Sequence, residues 1–360
     1  MMSNKKTILH LITNLARGGA ETMLVRYIRE LTEYNNIVVT LQHDNHFEGE
    51  LVCDKYICLN KSSLLAIPFA AWQLRKIIKS CKADIVHSHL PVSNFTARLA
   101  TPAGIPLITT IHNSIATSKD YKHSFIRLLD KATYRFKKST IIAVSKGAMD
   151  DYFSVLKIKP GNAMLLYNFV DTAKYNNTAV KQNHHTFKVV CVGALSVQKN
   201  MGWLIHAFKE LKNENIELHI YGQGGQQKEL QDLIDQYDVS VILKGQVKNI
   251  HEVLPAYDLY VMSSLFEGFS LSVLEAMALQ MPLLLSDIPS FREQCAETAM
   301  YFDLNNVAGF VQKIKTIAAD KSLQAKMGMA AKERAVNNFT LEKYMAGLRQ
   351  IYSAALNQQL

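Results

Sequence analysis

The stretch LYVMSSLFEGFSLSVLEAMA, residues 259–278, reads as one strand, one loop and one helix. Leu259–Met262 is a short apolar run of the kind found in strands covered on both faces. Ser263–Ser270 gathers serines, a glycine and a carboxylate, which is turn chemistry. From Leu271 onward Val273, Leu274, Ala276 and Met277 fill a buried helix, with Glu275 set among them. A strand that passes through a short loop into a helix is half of a βαβ unit, and its repetition predicts a parallel sheet.

The same alternation runs outward in both directions. The second half reads as strands at Lys188–Val192, Glu217–Tyr221, Val241–Lys244, Leu259–Met262 and Leu283–Ser286, with helices at Met201–Leu211, Gln226–Tyr237 and Ser272–Ala278. The first half reads as strands at Thr7–Thr13, Ile37–Leu41, Ile85–His89, Leu107–Ile111, Thr140–Val144 and Ala163–Tyr167, with helices at Thr22–Leu31, Ala66–Lys79 and Phe125–Phe136. Between the halves, residues 171–186 are polar without an apolar period and read as a linker. After about residue 307 the chain is helical: Val307–Ala319, Ser322–Val336 and Leu341–Leu356. The expected fold class is α/β: two Rossmann-like domains, 1–170 and 187–340, facing across a cleft. A C-terminal helix over about 341–360 packs back on the first domain. Ligands of such sheets bind outside the carboxyl ends of the strands, so the loops there are the candidates.

Composition narrows the function classes. The 360 residues are 48% hydrophobic and 20% charged, as in a folded globular chain rather than a disordered or collagen-like one. The five scattered cysteines form no CxxC pair, which excludes a disulfide framework or zinc finger and suggests reduced, cytoplasmic thiols. The first residues read as a buried strand rather than a signal peptide, and no run of about 18 apolar residues is present. The net charge is +9, and it is uneven: residues 1–180 hold 23 Lys/Arg against 13 Asp/Glu, residues 181–360 hold 17 against 18. A basic first half points to an anionic partner or a solubilising surface. Lys119–Lys138 holds seven Lys/Arg and two Asp, with Phe125, Leu128, Leu129 and Phe136 near helical spacing. Such a helix suits an anionic membrane surface or simply packs on a core with its charged side in water. No nucleic-acid motif is present.

Three loops carry the chemistry. Asn14–Glu21 places Gly18 and Gly19 between a strand and a helix, where backbone can approach a phosphate or merely turn tightly. It is not GxGxxG, so the dinucleotide fingerprint fails. Gly193–Asn200 places Lys199 just ahead of a helix, where an ammonium opposes the helix dipole unless an anion lies between. Ser263–Ala276 sets Glu267 in the loop and Glu275 one turn into the helix, flanking the amides of Phe269, Ser270 and Leu271. Two carboxylates on either side of an anion site suit a nucleotide sugar, because each can accept from paired hydroxyls. His87 and His89 share a strand face and read as packing or hydrogen-bonding groups, with zinc disfavoured; His112 ends a strand at the expected cleft. His184 and His185 fall in the polar linker and read as solvated. No DxD is present.

Glu267 and Glu275 form an E-x7-E motif in SSLFEGFSLSVLEAMALQMPLL. Together with GGAE (18–21), DIVHSH (84–89), TIHN (110–113), AVS (143–145), NFVD (168–171), VGALSVQKN (192–200) and YGQGG (221–225), it resembles the group 1 glycosyltransferases, family 4 of the retaining GT-B enzymes, over nearly the whole chain. The resemblance implies that Glu267 contacts donor-sugar hydroxyls and Glu275 the ribose. The backbone of Phe269, Ser270 and Leu271 would bind the distal phosphate, and Lys199 would neutralise the pyrophosphate with help from Gly19. Gly222 and the Gly245–Val247 turn would flank the base, and His112 would approach the sugar and the acceptor. Ala194 stands where the family commonly has Arg in a GR-x4-K pattern, so one cationic phosphate contact is missing. The implied activity is retaining, metal-independent transfer from a UDP-linked sugar to a glycan hydroxyl, with no cofactor. The basic first half suggests a lipid-linked oligosaccharide at the inner face of the plasma membrane as acceptor, in surface polysaccharide assembly. A UDP-sugar 2-epimerase of the same fold and a non-catalytic sugar-nucleotide-binding subunit remain open beside it.

Overall fold

A computed structural model describes residues 5–61, 63–116, 121, 124–159, 161–175 and 185–357. Lys119, Asp120, Lys122 and His123 of the basic stretch lie outside the described residues, as do His184 and most of the expected linker. The chain divides into two compact units, one of residues up to Asn168 plus Glu342 onward, the other Phe169–Leu341.

The first unit is built on seven parallel strands: β1 (Thr7–Ile12), β2 (Asn35–Thr40), β3 (Lys55–Cys58), β4 (Ile85–His89), β5 (Leu107–Ile111), β6 (Thr140–Ala143) and β7 (Ala163–Leu165). Their order is β3-β2-β1-β4-β5-β6-β7. The helices are α1 (Gly19–Ile28), α2 (Ile67–Ser80), α3 (Pro91–Ala100), α4 (Ser124–Phe136) and α5 (Lys146–Leu156). All positions of β1, β4 and β5 are buried, which is why these strands show no alternation of apolar and exposed polar residues; their His, Ser and Thr side chains are buried too. Leu9, Leu11, Val39 and Val86 pack with Leu74 and Ile78 of α2 into one core layer.

The second unit has six parallel strands: β8 (Phe187–Val192), β9 (Ile216–Tyr221), β10 (Val241–Gly245), β11 (Leu259–Met262), β12 (Leu283–Ser286) and β13 (Met300–Phe302). Their order is β10-β9-β8-β11-β12-β13. Its helices are α6 (Met201–Phe208), α7 (Gln227–Tyr237), α8 (Ile250–Val253), α9 (Leu271–Ala278), α10 (Pro289–Cys295), α11 (Val307–Ala319) and α12 (Lys321–Asn338). The last helix, α13 (Leu341–Asn357), belongs almost entirely to the first unit, where Tyr352 hydrogen-bonds His87 and Arg349 pairs with Glu33.

In each sheet the strand order reverses once, between β1 and β4 and between β8 and β11. At such a switch point two neighbouring loops diverge and leave a crevice. Gly18, Lys199 and Glu267 lie in the loops that follow β1, β8 and β11, and His89 is the last residue of β4.

At the start of the segment that reads as linker, Thr172–Tyr175 form a 3-10 turn and Tyr175 is buried in the second unit. A single aromatic in a polar stretch leaves no period to read, yet it is enough to anchor the segment.

Candidate active site

In the second unit the loops after β8 and β11 are sewn together. Leu265 N–H donates to the Gln198 carbonyl, Gln198 Nε2 to the Phe266 carbonyl, and Ser263 Oγ to the carbonyls of Lys199 and Asn200. This lacing brings Lys199 Nζ to 2.6 Å from Glu267 Oε1, and Ser264 Oγ donates to the same oxygen at 2.6 Å. Both charged side chains are largely buried, 15% and 7% exposed. The dipole conflict at Lys199 is thus met by Glu267: the ammonium ahead of α6 has a carboxylate beside it. Among the described residues Glu267 Oε2 meets only a long contact, Gln198 Nε2 at 3.4 Å. An ionised carboxylate has about four lone-pair sites, so Oε2 can still accept from hydroxyls.

Glu275 lies on α9, buried, and accepts a hydrogen bond from Tyr175 Oη at 3.0 Å. That partner comes from 100 residues away and had no signal in the sequence. Ser270, the N-cap of α9, has no side-chain capping bond. Its amide donates to Gln294 Oε1 at 3.0 Å and its carbonyl accepts from Gln294 Nε2 at 2.8 Å. The Ser270 amide is therefore occupied, and Leu271 opens the helix beyond it. Phe269 does not face a ligand with its ring, which is buried against Phe339, 5.0 Å between centroids.

Gly222 follows β9 with φ +148, and a Cβ there would come within 1.8 Å of the Gly193 carbonyl oxygen. The loops after β8 and β9 touch backbone to backbone at this point, and only glycine permits it. Gly222 N–H donates to the Gly245 carbonyl, which ties in the turn leading to half-buried Val247. Ala194 is exposed on the neighbouring loop.

In the first unit Gly18 caps α1 with no side-chain bond, and Gly19 opens the helix. The carboxyl of Glu21 folds over this turn: a Cβ on Gly18 would lie 2.4 Å from Glu21 Oε2. Burial raises the Glu21 pKa to about 7. Arg17, ahead of this turn, is paired with Glu50 at 2.7 Å.

His112 follows β5 directly, and burial lowers its pKa to about 4. The loop beyond it is pinned by Asp151 of α5, which accepts from the amides of Ile115 and Ala116 and from Ser114 Oγ. His112 Nε2 lies 3.1 Å from His89 Nδ1. Behind it His10, His87 and His89 place one ring nitrogen each within 4.8 Å of one another, a spacing that suits a metal ion. Every one of those six nitrogens already has a protein partner: Asn36, Tyr27, Tyr352, Thr110, His112 and again Tyr27. The hydrogen-bonding reading of His87 fits this arrangement. The strand β4 ends in strain: Leu90, next to His89, holds φ 72 and ψ 152, a region nearly reserved for glycine.

Known proteins point the same way. A family model described as "Glycosyl transferases group 1" matches residues 176–334, and one described as "Glycosyltransferase Family 4" matches residues 17–174. The N-acetylgalactosamine-N,N'-diacetylbacillosaminyl-diphospho-undecaprenol 4-alpha-N-acetylgalactosaminyltransferase of Campylobacter jejuni is 26% identical over 344 residues, 90% of this chain and 93% of that protein. The UDP-Gal:alpha-D-GlcNAc-diphosphoundecaprenol alpha-1,3-galactosyltransferase of Escherichia coli is 26% identical, over 78% of this chain and 77% of its own. Among solved structures, Anabaena HepE in complex with UDP and glucose superposes with a TM-score of 0.83 at 18% identity, over 96% of this chain and 99% of that one. A glycosyltransferase of Rickettsia africae gives 0.81 at 18% identity, over 98% and 99%.

Proposed function

This chain belongs to the group 1 glycosyltransferases, family 4 of the GT-B enzymes, and we propose that it moves a sugar from a UDP-linked donor to a hydroxyl of a polyprenyl-diphosphate-linked glycan, with retention and without a metal. The observation that carries this reading is the buried Lys199–Glu267 pair beside the uncapped start of α9. It places a cation, helix amides and a hydroxyl-binding carboxylate around one turn.

In the reaction the bond from the anomeric carbon to the diphosphate oxygen breaks, and its electrons go to the diphosphate. Lys199 and the amides of α9 from Leu271 onward stabilise that charge as it develops, when it lowers the barrier most. Glu267 Oε2 holds sugar hydroxyls and Glu275 holds the ribose. A carboxylate already paired to an ammonium is a weak nucleophile, so Glu267 is unsuited to a glycosidase-type covalent step. The acceptor hydroxyl then attacks on the face the diphosphate leaves, giving its proton to the departing oxygen, which retains the anomeric configuration. Both named relatives act on diphospho-undecaprenol-linked sugars, which supports the acceptor class and a role in bacterial surface polysaccharide assembly.

The same acceptor implies work at a membrane face. No helix among the described residues is long and apolar enough to cross a bilayer. On the first unit α3 packs against both α2 and α4. The α2 region exposes Leu65, Phe69 and Trp72, with Lys61 and Lys76 over the two rings, and α4 exposes Phe125, Leu128 and Phe136. Apolar side chains among cations suit an anionic lipid surface.

The test is a thermal-shift screen of nucleotide sugars followed by an assay of UDP release with and without a polyprenyl-diphosphate glycan. The expected result is binding of UDP-sugars and acceptor-dependent UDP release that EDTA leaves unchanged. Release without acceptor, or no UDP-sugar binding, would overturn the reading.

A further inference from the structure

His112 ends a chain of hydrogen bonds that runs back into the core of the first unit. Asn36 donates through Nδ2 to the carbonyls of Leu31, at 2.9 Å, and Tyr34, at 3.3 Å. Its amide orientation is thereby fixed, and Oδ1 faces His10 Nε2 at 3.2 Å. Oδ1 only accepts, so His10 carries its proton on Nε2. Burial keeps His10 neutral, with a pKa lowered to about 4, which leaves His10 Nδ1 bare. Nδ1 faces Tyr27 Oη at 3.4 Å and needs a donor there.

Tyr27 has one proton to give. Given to His10, it leaves the Tyr27 oxygen as an acceptor toward His89 Nε2, 3.0 Å away. His89, also held neutral by burial first and by the neighbouring histidines second, then bears its proton on Nε2 and a lone pair on Nδ1. Were Tyr27 to donate to His89 or to Tyr352 instead, His10 Nδ1 would be a buried acceptor facing an oxygen lone pair, the costly case. Tyr352 does not disturb the order. Its hydroxyl rotates to serve Tyr27 or His87, and His87 ends on the equally free hydroxyl of Thr110. Either way Tyr352 turns, the run from Asn36 through His10, Tyr27 and His89 to His112 keeps one order.

We propose that Asn36, acting through His10, Tyr27 and His89, fixes the tautomer of His112 so that Nε2 carries the proton and Nδ1 presents a bare lone pair to the substrate. These four are positioning residues. Their effect is to make His112 an obligatory hydrogen-bond acceptor, so the substrate group it meets must be a donor, a hydroxyl or an N–H. This last consequence rests on the proposed glycosyl transfer; the tautomer itself does not.

The experiment is heteronuclear NMR of the full chain labelled with 15N in histidine, without ligand, near neutral pH. The expected spectrum shows His10, His89 and His112 each protonated on Nε2. His112 protonated on Nδ1, or exchanging evenly between forms, overturns the proposal. Tyr27→Phe removes the hydroxyl that links His10 to His89. It should shift His112 toward a mixture of tautomers and lower kcat/KM by up to about tenfold, the worth of one hydrogen bond. A variant with lower melting temperature but an unchanged His112 signal would show Tyr27 to be merely structural. Since the wild-type spectrum is read without substrate, an unexpected tautomer and an absence of transferase activity are separate results.

Discussion

Glu267→Gln keeps the shape of the side chain and removes its charge. In the folded protein Glu267 Oε1 accepts from Lys199 Nζ and Ser264 Oγ, both at 2.6 Å, with the ion pair largely out of water. A hydrogen bond to a charged group contributes about 1.5–3 kcal/mol, and a neutral amide oxygen keeps part of that. The stability lost without ligand is therefore about 2 kcal/mol, or about 4–8 °C in melting temperature for a unit of this size. The ligand-bound behaviour is the discriminating part. With its carboxylate gone, Lys199 is freed for the diphosphate, so UDP should bind as tightly as before or more tightly, and UDP should restore the lost melting temperature by mass action. Transfer should fall about 10–100-fold in kcat, because the sugar hydroxyls lose a charged acceptor that strengthens in the transition state. Calorimetric titration with UDP and turnover with the UDP-sugar are the two assays. If UDP affinity and kcat fall together, Glu267 acts by building the diphosphate site and the division of labour argued here is wrong.

Glu275→Ala should weaken UDP binding about tenfold or more in the same titration, while Tyr175→Phe should weaken it several-fold by loosening the Glu275 carboxylate; equal affinities across all three proteins would remove Glu275 from the ribose. Acid should unfold the first unit early. His10, buried neutral, has its pKa moved from 6.5 down to about 4, so the unfolded chain binds the extra proton and stability is complete above pH 6.5 and lost as pH falls toward 4. Urea unfolding at pH 7.5 and 5.5 should differ by about 1.4 kcal/mol from His10 alone, with His87, His89 and His112 acting in the same direction and Glu21, whose pKa is raised to about 7, opposing them; a protein carrying Glu21→Gln that is no less stable at pH 5.5 than at pH 7.5 would contradict the histidines as neutral rings.

What the sequence made legible follows from what strands and loops need. The spans of β11 and β12 were readable to the residue because strands buried on both faces are near-continuous apolar runs, and those of β4 and β5 because Ile85–Val86 and Leu107–Ile108 open short runs without in-out alternation. The sheet-edge strands β3 and β13 were missed: Lys55 and Tyr56 of β3 are exposed, and β13 is three residues long. Helix α3 was missed for the opposite reason. It buries Ser93, Asn94, Thr96 and Arg98, whose guanidinium is met by Asp130 and by Tyr152 Oη, so it shows no apolar stripe. Lys199 and Glu267 stood out because strand-to-helix loops are short and their charged residues have few structural uses, and Glu275 because it is a carboxylate in an otherwise apolar helix. Their supports did not, since Tyr175 reaches Glu275 across 100 residues and Tyr27 reaches His89 across 62.

Gly222 has a structural ground of its own beside the expected one. The family resemblance implies a place beside a nucleotide base, and the structure gives a reason that needs no ligand: the Gly193 carbonyl lies where a Cβ would be. The two uses are linked. The lacing of the β8 loop to the β11 loop holds Lys199 on Glu267, and the β8 loop in turn rests on Gly222 and on Gly224, whose added Cβ would lie 2.3 Å from the Leu195 carbonyl oxygen. Gly222→Ala must push the β8 loop away, and the strain falls on backbone with no rotamer to relieve it, at a cost of about 3 kcal/mol or more. The displacement is transmitted to Lys199 before it reaches any base pocket. A variant that folds should therefore lose the Lys199–Glu267 contact and diphosphate affinity together. If inorganic pyrophosphate, which has no base, bound to Gly222→Ala as tightly as to the parent protein, the glycine would serve the base alone and the backbone argument would fail.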